Sequence, residues 1–260
     1  MQIGHVFIFA PSIVEDSAIG PVTYIMYKNL MPTATVLRGG DVSYLHDNIN
    51  NVFYKKVAGS DYIEFSFTSP VQINCFAVSG CNFESSGATF VFKTAAISSY
   101  ETIATFSEAR DGQPVMICFE SRLVSKVRID ITNSSELSIG ELAFGLALSM
   151  PVSPSVGYKP ALWNINDEVT FLKSENNSVG RSTINKRAAT ETLPFKMINH
   201  NWVRNTWVPF IKEAAGLPIW VGWNQLNYPN ECVYGSWQQD EIRYDTPLYA
   251  SINLTIKGQV

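Results

Sequence analysis

Tyr62-Ile-Glu-Phe-Ser-Phe67, closed by Thr68-Ser69-Pro70 and followed by Val71-Gln-Ile-Asn-Cys-Phe-Ala-Val78, is the stretch that decides the fold. Successive side chains of a strand point to opposite faces, so Phe65 and Phe67 share one side while Glu64 and Ser66 share the other. The same grammar continues outward. After Gly80 a polar loop spans 82–87, and runs of strand length follow at 88–93, 115–119 and 126–131. In the last of these Val127, Ile129 and Ile131 alternate with Arg128 and Asp130. An apolar run at 137–148 closes this half. Short strands separated by turn signals, with no helical period, predict an all-β antiparallel sandwich or jelly roll.

Composition bounds what such a protein does. The chain has 260 residues, 16% charged and 12% aromatic, with a formal net charge of −4. Duplex binding rests on many Lys and Arg neutralising phosphates, so nucleic acid is not an expected partner. No apolar run reaches the roughly 18 residues of a membrane helix, so no membrane insertion is expected. The apolar stretch at 6–10 has no Lys or Arg before it and reads as a strand over 1–9, not a signal peptide, which predicts synthesis and retention in a cytosol. Cys75, Cys81, Cys118 and Cys232 show no CxxC spacing and are expected to be reduced and buried.

Catalytic constellations are missing from the pattern. His5, His46 and His200 form no HxH, HExxH or His/Cys pair, so neither a metal nor another cofactor is implied. No GxSxG, P-loop or GxGxxG occurs. The acid pairs Asp167-Glu168 and Asp240-Glu241 are adjacent residues, which a strand points to opposite faces, so neither supplies a glycosidase dyad by itself. Lys55-Lys56 and Lys186-Arg187 read as exposed loop tips. A non-catalytic protein is expected.

All six tryptophans follow residue 160, and three prolines and a glycine fall within 150–160. This shift predicts two domains: a sandwich over 1–150 with its core at 30–149, a linker at 151–160, and a second β-rich domain over 161–260. That second domain opens with a strand at 168–172 and a polar loop at 173–181, a candidate docking segment. One helix is expected at about 205–215, capped by Asn205 or Thr206, with Pro209 in its first turn and Gly216-Leu-Pro218 as its stop. Strands are expected at 218–223, 231–236, 241–244 and 248–257. The last alternates Ala250, Ile252, Leu254 and Ile256 against Tyr249, Ser251, Asn253 and Thr255. Trp207 and Trp220 or Trp223 read as core; Trp237, beside Gln238 in a turn, reads as an exposed interface anchor.

Two resemblances are carried by these residues. The stretch 30–149 resembles a galactose-binding-like domain of the discoidin type, through Asp47-Asn48, the 62–67 strand, Val71–Gly80 and Ser138-Ile-Gly-Glu-Leu142. It departs from that family where Phe-Ser-Phe-Thr-Ser stands in place of an Asp-Leu-Gly-like turn, and it lacks a counterpart to the family's frequent disulfide. The stretch 160–260 resembles small β-rich domains of tailed-bacteriophage tail proteins, through the run 201–211, Leu217-Pro-Ile-Trp-Val-Gly-Trp223 and the terminal strand.

Taken together, the resemblances imply a structural protein of a phage virion, in the tail tip or baseplate, made in the host bacterial cytoplasm. Its expected partners are other virion tail proteins, further copies of itself in a ring, and a host-surface glycan. The sandwich loops would hold that glycan through Tyr44, His46, Asp47, Phe83 and Glu84, and Trp237 with Gln238 would meet a neighbour. A free lectin, or an accessory module of a polysaccharide-degrading enzyme, is the alternative.

Overall fold

The alternating run 62–67 is part of a strand of 21 residues, Gly59–Ser79, whose length sets the architecture. The computed structural model describes residues 22–38, 41–48, 52–107, 109–155, 158–159, 165–173, 179–225, 227–239 and 241–259, with backbone alone at 165–189 and 259. The expected strand at 1–9, His5, Trp163, and positions 174–178 of the polar loop lie outside the described residues.

In chain order the first half contains β1 (Tyr24–Asn29), β2 (Thr35–Arg38), β3 (Tyr54–Lys56), β4 (Gly59–Ser79), one helical turn α1 (Phe83–Ser86), β5 (Thr89–Ala95), β6 (Glu101–Phe106), β7 (Val115–Asn133), β8 (Leu137–Ile139) and β9 (Glu141–Ser149). All their pairings are antiparallel. β4 and β7 pair along their lengths, but the register slips between Ser66 and Val71 and again between Ile73 and Cys75. Pro70 sits at the first slip, where a residue without an N–H cannot continue the ladder. Both strands bend there and serve two layers.

One layer joins the first part of β4 to β2 and β7, β7 to β5, and β5 to β6. The other joins the second part of β4 to β9 and the start of β7. Phe65, Ile129 and Phe90 from the first layer meet Phe76, Val78 and Phe144 from the second in one buried cluster. This is a β-sandwich of the jelly-roll kind.

The second half supplies β10 (Ile165–Lys173), β11 (Val179–Asn199), β12 (Ile219–Gly222), β13 (Cys232–Gln239), β14 (Arg243–Tyr244) and β15 (Tyr249–Gln259). Ala250, Ile252, Leu254 and Ile256 are fully buried, as the alternation of the last strand requires. They pack with Trp207 and Phe210 of the helix in a second cluster.

That helix begins earlier than the expected 205–215. It consists of His200–Trp202, a π turn Val203–Trp207 and Val208–Ala214, together called α2. Asn199 caps it, its side chain accepting from the Asn201 N–H at 2.8 Å, so neither Asn205 nor Thr206 is the cap. The π turn precedes Pro209, whose ring has no N–H to donate and crowds the preceding turn.

β1 holds the halves together. It pairs with β9 on one side and with β12 on the other, so a single sheet path runs through both halves. The sheet curls far enough that the Met116 N–H donates to the Pro229 carbonyl at 3.0 Å and Gln113 Nε2 to the Asn230 carbonyl at 2.9 Å. Within the curl lies a third cluster built from both halves: Met26, Cys75, Met116, Cys118, Trp220 and Tyr234 among others. In β1, Ile25 faces the second cluster while its neighbour Met26 faces this third one.

Candidate functional site

The expected glycan residues fall at the end of the sandwich where β4 starts and β7 finishes. Tyr44 is 44% exposed on the short 3-10 turn Ser43–Leu45. Asp41 fixes that turn by accepting from the Ser43 N–H at 3.0 Å and its hydroxyl at 2.6 Å, which holds the Asp41 carboxyl below the usual range. His46 and Asp47 are half-buried, and Glu84 is exposed on α1. Phe83 corrects the expectation: it is buried in the sandwich core, with ring contacts to Phe90 at 5.1 Å and Phe106 at 5.3 Å. A ring enclosed by two others presents no face to a sugar.

This end is also where the second half arrives. The contacts of Gln113 and Met116 with 229–230 close it on one side. Burial, then the charges of Glu141 and Asp47, raise the pKa of the phenol of Tyr234, a buried residue of the other half.

Trp237 and Gln238, the expected interface pair, are placed differently from each other. Gln238 is exposed. Trp237 is half-buried against Phe210 at 5.4 Å, and its indole N–H donates to the carbonyls of Ala214 at 3.3 Å and Leu217 at 3.1 Å. Its polar handle thus ties the end of α2 to β13, sharing the Ala214 carbonyl with the Leu217 N–H, which donates to it at 3.1 Å. Trp207 is fully buried with its N–H on Gln239 Oε1 at 2.8 Å.

At the opposite end, where β4 and β7 bend, a groove of about 320 Å³ opens between the β5–β6 turn and the middle of β7. Thr94, Ile97, Ser99, Tyr100, Glu101, Arg122 and Leu123 line it. Ser125 holds the turn in place by donating to the carbonyls of Ala95 at 3.2 Å and Ala96 at 2.7 Å. Arg122 Nη1 pairs with Glu101 Oε2 at 3.0 Å, and its guanidinium lies 5.7 Å from the centre of the Phe119 ring. Its Nε is enclosed and, among the described residues, has no hydrogen-bond partner. Leu123, 61% exposed, and Ile97, 85% exposed, supply an apolar rim. Tyr100 is half-buried; burial and the facing Glu64 raise its pKa, so the phenol is a neutral donor at physiological pH.

A second groove, about 430 Å³, crosses the outer face of β15. Ser251 and Asn253 lie on its floor by strand alternation, flanked by Lys196 of β11 and by Glu241, Arg243 and Asp245. The Asp245 carboxylate accepts from the Ser251 hydroxyl and pairs with Arg243 Nε at 3.4 Å. Met197, at this rim of β11, has φ 62, a left-handed conformation that costs a side chain with a Cβ about 1 kcal/mol.

Beneath that sheet, on its inner face, Glu191 is buried, and its carboxyl is pushed up to about 8 by burial and then by Glu231. Glu231 accepts the Trp223 indole N–H at 2.5 Å. Among the described residues no three His, Cys, Asp or Glu side chains are grouped as metal ligands would be.

Sequence reasoning missed the groove at Arg122. Its signal was the polar interruption Glu120-Ser121-Arg122 between two alternating runs of one strand, though the partner Glu101 lies 21 residues away and is invisible to local pattern.

No protein-family profile matches the chain, and no curated protein does. Solved structures resemble part of it. A pectin-binding carbohydrate-binding module is 13% identical, covering 46% of this chain and 93% of its own, with a TM-score of 0.37. Chitosan-binding module 1 of a Paenibacillus sp. IK-5 chitosanase/glucanase is 19% identical over 43% of this chain and 92% of its own, with a TM-score of 0.35. A family 32 carbohydrate-binding module produced by Clostridium perfringens is 16% identical over 45% of this chain and 98% of its own, with a TM-score of 0.38. The likeness reaches less than half of the chain, and at these scores it brings no ligand across to it.

Proposed function

We propose that this protein is a non-catalytic binding module that holds a neutral saccharide in the groove between Tyr100 and Arg122. The observation that carries the reading is the Arg122–Glu101 ion pair in the groove wall, 3.0 Å across, with the Glu101 side chain 71% exposed. An accessible ion pair offers donor and acceptor side by side, the arrangement that two neighbouring sugar hydroxyls satisfy, each donating to one group and accepting from the other. Thr94, Ser99 and the neutral Tyr100 add hydroxyls, while Leu123 and Ile97 give an apolar surface for C–H faces of a ring. Because Glu101 already neutralises Arg122 and the chain carries −4 overall, an acidic polysaccharide gains little here.

A tail-tip role, the finer reading of the sequence, drew on the aromatic residues of the second half. Trp207, Trp220 and Trp237 are used inside the fold, which favours the binding-module reading over it. The test is affinity electrophoresis through gels containing a neutral or an acidic polysaccharide. Retardation by one or more neutral polymers, lost in Arg122→Gln and kept in Arg243→Gln, supports the proposal. No retardation by any neutral polymer, or retardation that Arg122→Gln leaves intact, overturns it.

A further inference from the structure

Three of the four cysteines, Cys75, Cys118 and Cys232, belong to the cluster where the two halves of the sheet curl together, while Cys81 is buried in the sandwich core. Cys75 and Cys118 are Cα partners in the antiparallel ladder of β4 and β7. Directly opposite residues of such a ladder have Cα atoms about 4.5–5.5 Å apart, inside the window of about 4.4–6.8 Å that a disulfide needs. Their Sγ atoms are 3.7 Å apart, with Cys118 donating to Cys75. Side-chain rotation and a small strand shift bring two such sulfurs to the bonded distance of about 2 Å.

The surroundings favour closure of this pair over the alternatives. The register slips between Ile73 and Cys75, so three residues of β7, 119–121, stand opposite Asn74 alone. Asn74 in turn grips β9, donating to the Ala147 carbonyl at 2.9 Å and accepting its N–H at 2.7 Å. The Cys75 side of the ladder is therefore anchored to β9, and the bulged β7 strand carries the slack that lets Cys118 move. Cys232 is near enough for Cys75 to raise the pKa of its thiol, yet it sits on β13 and is not opposite either cysteine in a ladder.

We propose that Cys75 and Cys118 form an oxidisable dithiol that a hydroperoxide converts to a disulfide clasping β4 to β7 at the junction of the two halves. The thiolate of one cysteine attacks the peroxide oxygen, breaking the O–O bond to give a sulfenic acid and hydroxide, or alkoxide from an organic peroxide. The second thiol then attacks the sulfenic sulfur, forming the S–S bond and expelling water. Two thiols and hydrogen peroxide thus give one disulfide and two waters. A small uncharged oxidant suits this site, because both sulfurs are buried and a peptide disulfide such as oxidised glutathione has no room beside them. Burial also raises the Cys75 thiol pKa, so the reaction is slow at neutral pH and speeds up as pH rises.

The full-length protein, reduced and then treated with hydrogen peroxide, is unfolded in an alkylating reagent and mapped by mass spectrometry. The expected result is a loss of about 2 Da, the two hydrogens of one disulfide, in a peptide joining Cys75 to Cys118, with Cys81 and Cys232 alkylated. The thermal midpoint of the oxidised form should rise by several degrees, since the crosslink restricts the unfolded chain. Cys118→Ala should show neither change. Four alkylated cysteines after treatment, a Cys75 to Cys232 link, or sulfinic acid at Cys75 with no link would each overturn the proposal, and each is read from the unmutated protein.

Discussion

The grooves at Arg122 and Arg243 look alike as inventories, each a polar hollow with an arginine, an acid and hydroxyl or amide groups, but they differ in what the arginine leaves over. Arg122 keeps 29% of its side-chain surface exposed, lies over Phe119, and is held at 3.0 Å by Glu101 in the groove wall. Arg243 has an 84% exposed side chain, and the Asp245 it approaches is already held by Ser251. A fixed donor in a partly dry setting gives up little on meeting a ligand, whereas a solvated, mobile one must be desolvated and ordered first. Composition of a groove therefore says less than the state of its hydrogen bonds.

The supporting layers differ in the same way, and the largest test of the comparison lies there. On the inner face of the sheet that carries the Arg243 groove, Glu191 is buried with its carboxyl pushed up to about 8, above its ordinary 4.5. A raised folded pKa means that the native state binds a proton the unfolded chain has released, so stability falls as pH rises from about 4.5 to about 8, by up to about 1.4 kcal/mol per pH unit. Denaturant midpoints across that window should fall steeply in the natural protein and stay nearly level in Glu191→Gln. Equal slopes would show that Glu191 does not carry the penalty.

The sandwich half behaves oppositely. Burial draws the Asp130 carboxyl upward, but hydrogen bonds from Lys93 and Arg128 outweigh it and hold the carboxyl below the usual range. Its contribution is present above the ordinary Asp value of about 3.8 and is lost as pH falls through the lower folded value. Asp130→Asn should remove that loss on the acid side and leave the alkaline side untouched.

The next effect is on binding. Arg122→Gln should weaken retention by a neutral saccharide by about 10-fold to 100-fold, the cost of a buried charge-assisted donor, and Arg243→Gln by less than about twofold. Leu123→Ala, which trims the apolar rim, should cost about threefold to tenfold. Equal losses at Arg122 and Arg243 would erase the distinction between the grooves.

The smallest effect concerns the backbone. Met197→Gly relieves a left-handed φ at the rim of the second groove and should stabilise by about 0.5–1 kcal/mol with no change in saccharide retention. A loss of retention would move the site to that rim.

Much of the fold was legible because burial and alternation are local facts. The inward set of β15 and the stop of α2 before Gly216 followed from residue order, but its start did not: the cap is Asn199, not Asn205 or Thr206. The bend of β4 was signalled by Pro70, but a strand that crosses from one layer to the other reads in sequence as two strands. The placement of β1 between β9 and β12 was invisible, because its pairing depends on a sheet edge offered by residues more than a hundred positions away. For the site, loop position misled. Phe83 is the single large apolar residue in a polar loop, and such a residue anchors its loop to the core more readily than it faces solvent. Tyr44 and Glu84 are exposed as expected, yet exposure without an unsatisfied partner marks no particular chemistry.

The most direct measurement is the pattern of backbone amide shifts when a retained neutral saccharide is titrated into the labelled protein. The shifts should concentrate at 94–101 and 119–124, on both walls of the Arg122 groove. Shifts centred on 41–48 and 82–87, or on 241–253, would place the ligand elsewhere and contradict the proposed site.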